Sequence, residues 1–184
     1  MDNYRDRKMR TLIILITAIF TNACAYHHEK RFTYTNVVDA EYFEGNFYSQ
    51  SDHIVFDIDS EIVALGHVEL NFIDCSDEVW QCTSYGLFIF AKNKESSGLD
   101  GEWVYESTKF TVLDEVTVSI FGKKITSKQI LIRNAHTKPN GNFVLLLHSN
   151  EYGLIGFIKS DIENGEVIQN TYLLSDKTGI RLLE

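Results

Sequence analysis

Residues 53–72 read HIVFDIDSEIVALGHVELNF. Ile54, Phe56 and Ile58 alternate with His53, Val55 and Asp57, and Ile62, Ala64, Gly66, Val68, Leu70 and Phe72 keep a period of two. Side chains spaced by two share one face of a pleated strand, so the stretch is expected to be β structure with one apolar face.

The pattern continues downstream. Trp80 to Phe90, Glu102 to Leu113 and Glu115 to Ile125 are rich in β-branched and aromatic residues, which suit a half-buried pleated surface. Gln129–His136, Phe143–His148, Gly153–Ile158 and Val167–Leu174 extend the series. Gly86–Ala91 and Phe143–Leu147 are apolar without alternation, so both are expected to be central and covered on two sides. Lys138-Pro139-Asn140-Gly141, Asn164-Gly165, Asp100-Gly101 and Gly122-Lys123 mark turns. Short strands joined by hairpins indicate an all-β fold, an antiparallel sandwich or closed barrel of about eight or nine strands. Upstream, Asn36 to Phe43 (NVVDAEYF) could form one short helix, with Asn36 as N-cap. No repeat or linker divides the chain, so residues 53–184 are expected to be one β domain, with 26–52 as a polar leader.

Residues 1–25 have a different logic. Arg5, Arg7, Lys8 and Arg10 precede the apolar run Leu12–Phe20, and small residues follow. That order is expected of a secretory signal, and the run is shorter than the about 20 apolar residues of a membrane span. Ala23-Cys24-Ala25 fits cleavage before Tyr26, giving a soluble exported chain. Ala23-Cys24 also resembles the end of a bacterial lipobox, in which case Cys24 carries lipid and is the membrane anchor. The lipobox match is partial, because Thr21 and Asn22 stand where Leu and a small residue are usual.

Charge narrows the function classes. The chain has 184 residues and a net charge of -9, and loss of residues 1–25 makes it -11. A nucleic-acid partner needs a basic footprint, so that class is disfavoured. After processing, Cys75 and Cys82 remain as a pair, expected to be a disulfide in an oxidising compartment.

No local catalytic motif occurs: no G-x-S-x-G, S-x-x-K, H-E-x-x-H, P-loop or G-x-G-x-x-G. No cofactor is implied. Asp74, Asp77, Glu78 and Trp80 cluster at the cysteine pair as a candidate binding loop. Asp57, Asp59 and Glu61 would share one face of a strand and form a candidate calcium chelate. Cleavage after Ala25 would leave Tyr26-His27-His28, a terminal amine with a third-position His suited to Cu(II). His67 and His148 read as boundary residues of apolar strands. The expected function is a non-catalytic exported protein that binds a partner in the periplasm or bacterial envelope. A periplasmic immunity or inhibitor protein is one alternative, since acidity speeds capture of a basic target. An envelope hydrolase assembled around His67, His136 or His148, or a small-ligand carrier, is another.

Export makes a mass prediction. Protein from its host's envelope, kept without reductant, should weigh Tyr26–Glu184 less two hydrogens. A mass starting at Cys24 with three acyl chains would mean a tethered lipoprotein instead.

Overall fold

The alternating pattern begins earlier than His53. The computed structural model describes residues 30–37, 53–96, 98–120, 122–136, 142–163 and 166–182. Its strands are β1 (Arg31–Val37), β2 (His53–Asp57), β3 (Ile62–Leu65), β4 (Val68–Asn71), β5 (Ile73–Asp74), β6 (Trp80–Ser84) and β7 (Ile89–Asn93). They continue as β8 (Glu102–Tyr105), β9 (Thr108–Ile120), β10 (Lys123–Asn134), β11 (Phe143–Ser149), β12 (Gly153–Glu163) and β13 (Glu166–Leu174). No helix occurs among the described residues.

β1 corrects the expectation of a polar leader. Phe32 and Tyr34 face inward and alternate with β-branched Thr33 and Thr35, which suits a strand with one polar face. Asn36 and Val37 pair with Tyr172 and Thr171 rather than starting a helix. The rest of the proposed helix, and residues 1–29, lie outside the described residues.

All pairings are antiparallel, and ten strands form one sheet in the order β4-β3-β2-β1-β13-β12-β11-β10-β9-β8. The edge strands β4 and β8 do not pair, so the sheet stays open. The chain between those edges forms the small sheet β5-β6-β7, which packs on the inner face as the second layer of a sandwich. There are more strands than expected because tight turns cut the long runs. Gly66 and His67 turn β3 into β4, with glycine taking a φ of 57°. Tyr85–Phe88 turns β6 into β7, closed by the Tyr85 amide on the Phe88 carbonyl at 2.8 Å. Glu106-Ser107 divides β8 from β9, and Glu106 itself adopts a φ of 51°.

The inner core is aromatic. Tyr34, Phe72, Tyr85, Phe88 and Phe157 surround Phe56 at centroid distances of 5.5 to 6.3 Å. Each such pair adds about 0.5–1.5 kcal/mol beyond the area it buries. At the β8 edge, Trp103 stacks on Phe110 (5.1 Å, 5°) and donates its indole N–H to the Ala91 carbonyl at 2.7 Å. That bond ties the large sheet to the small one.

A second core lies on the outer face, where Leu147, Ile155 and Leu173 are buried with Ile120 and Ile125. The β9–β10 ladder shifts register between Lys128 and Gln129, leaving Asp114 without a partner in β9. One extra residue reverses which side chains face which way. Phe110 therefore faces the inner core, while Val116, Val118 and Ile120 face the outer one. The hairpin tip folds over the back of the sheet, and Lys123 lies over the Tyr152 ring at 5.9 Å. Of the run Phe143–Leu147, Leu146 is buried in the inner core and Leu147 in the outer one, while Phe143, Val144 and Leu145 stay partly buried, so the two-sided cover that its lack of alternation implied holds only at its end. Gly86–Ala91 behaves differently, as a turn followed by the edge strand β7.

Residues after β13 run back along β12. The Gly179 amide reaches the Tyr152 carbonyl at 2.7 Å, and Leu154 and Ile180 bond at 2.8 Å. A Cβ on Gly179 would lie 1.8 Å from the Leu154 carbonyl oxygen and 2.9 Å from the Tyr34 hydroxyl. Gly101→Ala would meet nothing within 4 Å and cost only its positive φ, about 1–2 kcal/mol. Gly179→Ala should cost more, about 3 kcal/mol at the upper end of overpacking changes. Urea unfolding of both variants checks the order.

Candidate functional site

Between the inner face of β1 and the small sheet a cleft of about 500 Å³ remains open. Its floor is Phe32, Ile58, Phe72, Tyr85 and Ile180, and Lys30, Glu61, Asp74, Thr83 and Arg181 form its rim. Phe32 points inward because it pairs in register with Phe56. Phe72 leaves the β4 edge to meet Tyr85 edge-on at 5.2 Å and 72°. Phe32, Ile58 and Phe72 are only partly buried, so apolar surface faces the cleft. An apolar floor of this volume with a few polar groups at the mouth is the usual form of a ligand site.

The rim is held by backbone contacts. Lys30 donates its amide to the Asp59 carboxylate at 3.2 Å and accepts the Ile58 amide at 3.0 Å. Glu61 occupies a φ of 54°, and its carbonyl accepts the Phe72 amide at 2.6 Å. Arg181 reaches the carbonyls of Asn150 and Glu151 at 2.6 and 2.7 Å.

Asp74 and Thr83 are register partners in β5 and β6, and the Cys75–Cys82 disulfide joins their chain neighbours. β5 has two residues and no other partner strand, so the bridge is a main support of this wall. Ser76 caps it, with its hydroxyl 3.1 Å from the Cys82 carbonyl and its amide 2.9 Å from Asp74. Hydrogen bonds from the Ser76 side chain and then its amide hold the Asp74 carboxyl below the usual carboxylate range, and Lys94 adds to this.

The other members of the expected binding loop have different roles. Asp77 accepts the Val79 and Trp80 amides at 2.8 and 2.7 Å, closing its own turn. Glu78 is exposed. Trp80 is not a surface anchor: it is half-buried and packs edge-on against Tyr105 at 5.6 Å. The Tyr105 hydroxyl donates to the Cys75 carbonyl at 2.9 Å.

The candidate metal sites fare as follows. Asp57, Asp59 and Glu61 do not share a strand face, because β2 ends at Asp57 and the chain turns. Asp57 pairs with Arg31 at 2.8 Å and accepts the Ser60 amide at 3.0 Å. Arg31 and then Ser60 hold its carboxyl below the usual range. No three His, Cys, Asp or Glu residues among those described could hold a metal ion. Cys24, His27 and His28 lie outside the described residues.

The histidines named for hydrolysis are dispersed. His67 is exposed in the β3–β4 turn rather than within a strand, and His136 is exposed after β10. His148 lines a separate polar hollow of about 250 Å³ with Glu115 and Lys128. The sequence reading passed over His53, whose Nδ1 lies 3.1 Å from the Thr35 hydroxyl, itself bonded to the Ser175 hydroxyl. That chain joins β2, β1 and the end of β13 on the outer face.

Comparison with protein-family models, with characterised proteins and with solved structures finds no match.

Cys75→Ser should lower stability by roughly 2–3 kcal/mol through the lost loop constraint. In the same variant the Thr83 amide should exchange faster with solvent than in the parent. Equal melting temperatures with and without a dithiol reductant would show that the bridge contributes nothing.

Proposed function

We propose that this chain is an exported, non-catalytic binding protein whose envelope partner inserts an apolar side chain into the cleft on Phe32, Phe72 and Tyr85. The observation that carries the reading is that floor: aromatic surface left open in a volume of about 500 Å³, ringed by charged residues. Buried apolar anchors surrounded by a polar rim dominate the energetics of protein recognition. The export-like order of residues 1–25 and the disulfide support an extracytoplasmic setting. The acidic surface supports fast capture of a partner with basic patches.

Photo-cross-linking in the host envelope tests this. A benzophenone side chain at Thr83, on the cleft, should give one discrete adduct. The same group at Lys124, on the β9–β10 hairpin, should not give it. Matching adducts from both positions, or none from Thr83, would refute the cleft as the binding site.

A further inference from the structure

The rim of the cleft holds a cation that is fixed in place and, among the described residues, has no carboxylate partner. Arg181 donates through Nη1 to the Asn150 carbonyl and through Nη2 to the Glu151 carbonyl, at 2.6 and 2.7 Å. Two carbonyls set the plane of a guanidinium, yet neither carries formal charge. Among the described residues no carboxylate is paired with Arg181 or with Lys30, the two cations of the rim. In a chain of 26 acidic and 17 basic residues, an exposed guanidinium fixed beside an aromatic floor is available to an anion from outside. Guanidinium groups match planar carboxylates in geometry and are weakly hydrated, so such pairing survives partial burial.

The rest of the rim narrows the anion. Glu61 and Asp74 also line the cleft, and they oppose a phosphate or other dianion by like-charge repulsion. Their carboxylates and the Thr83 hydroxyl are acceptors for N–H groups. A fatty acid brings no N–H group, whereas a peptide brings one per residue.

We propose that the occupant is the carboxy-terminal end of a peptide chain, its last apolar side chain on Phe32, Phe72 and Tyr85 and its α-carboxylate against Arg181. This rests on the binding reading above and specifies which part of the partner enters.

Acetyl-Ala-Ala-Phe with a free carboxylate is titrated into the 15N-labelled protein, beside the same peptide as its carboxamide and 3-phenylpropionate. The acid should shift the amides around Thr83 and Arg181, and the other two probes should bind at least tenfold more weakly. Arg181→Gln, which also gives up two hydrogen bonds to carbonyls, should erase the preference for acid over amide in protein whose amide spectrum shows it folded, and Thr83→Trp should block all binding. The inference is overturned if acid and amide bind alike, or if phenylpropionate matches the peptide. It is also overturned if the preference survives Arg181→Gln, or if no probe binds. Should the Thr83 cross-link still capture a partner in any of these cases, the binding reading stands and only the chain-end assignment falls.

Discussion

The hydroxyl of Tyr34 holds the first strand, β1, to the segment that follows the last. It donates to the Leu154 carbonyl at 2.7 Å and accepts the Ile180 amide at 3.3 Å, in a position without solvent exposure. A buried hydroxyl without partners costs several kcal/mol, so satisfying it twice fixes β1 against β12 and the segment after β13. Burial also pushes the phenol's ionisation well above the ordinary tyrosine value, which keeps the donor proton in place. Around that point, glycine at 153 and 179 lets the backbones approach closely, since a Cβ at either would collide with carbonyl oxygen.

From this seam the sheet extends both ways and each face is covered by a different device. The inner face takes the small sheet, whose rings interlock with Phe56. The outer face takes the bent β9–β10 hairpin, which can reverse its apolar face only because Asp114 is an extra residue. The small sheet has three strands and spans less than the ten beneath it. Apolar surface around the start of β1 is left uncovered beside β5 and β6, and the cleft lies there.

The fold class was legible because a two-residue period survives in β2–β4 and on each side of the bulge in β9, and because glycine-bearing turns such as Gly122 join the strands of hairpins. The disulfide was legible from the spacing of Cys75 and Cys82. β1 was missed because Thr33, Thr35 and Asn36 make it look polar, although Phe32 and Tyr34 give it an apolar inner face. Strand number was underestimated where a turn keeps the apolar rhythm, as Gly66-His67 does between Leu65 and Val68. Glu61 and Glu106 take left-handed backbone conformations without glycine to announce them. The cleft was hidden for another reason. Its floor draws on β1, the turn after β2, the segments flanking β5 and β6, and the residues after β13. Only the register between them brings Phe32, Phe72, Tyr85 and Ile180 to one place. Asp74 was singled out for its position beside Cys75, and it does line the cleft, but its neighbours there lie far away in sequence.

The seam also sets an order of assembly. Among the described strands, every pairing but one joins neighbours along the chain, and the exception is β1 with β13. Hairpins can close as soon as their two strands exist, whereas the Tyr34–Ile180 bond spans 146 residues. Contacts of such separation come late and slowly, since a long loop must close before they form. A chain emerging N-terminus first can pair β1 with β2 at once, but its other edge stays unpaired until the last strand arrives. The residues after β13 act as a latch: a protease that clipped the chain after Leu174 would take the Ile180 amide from Tyr34 and uncover the core beside it, although β1 and β13 would still pair.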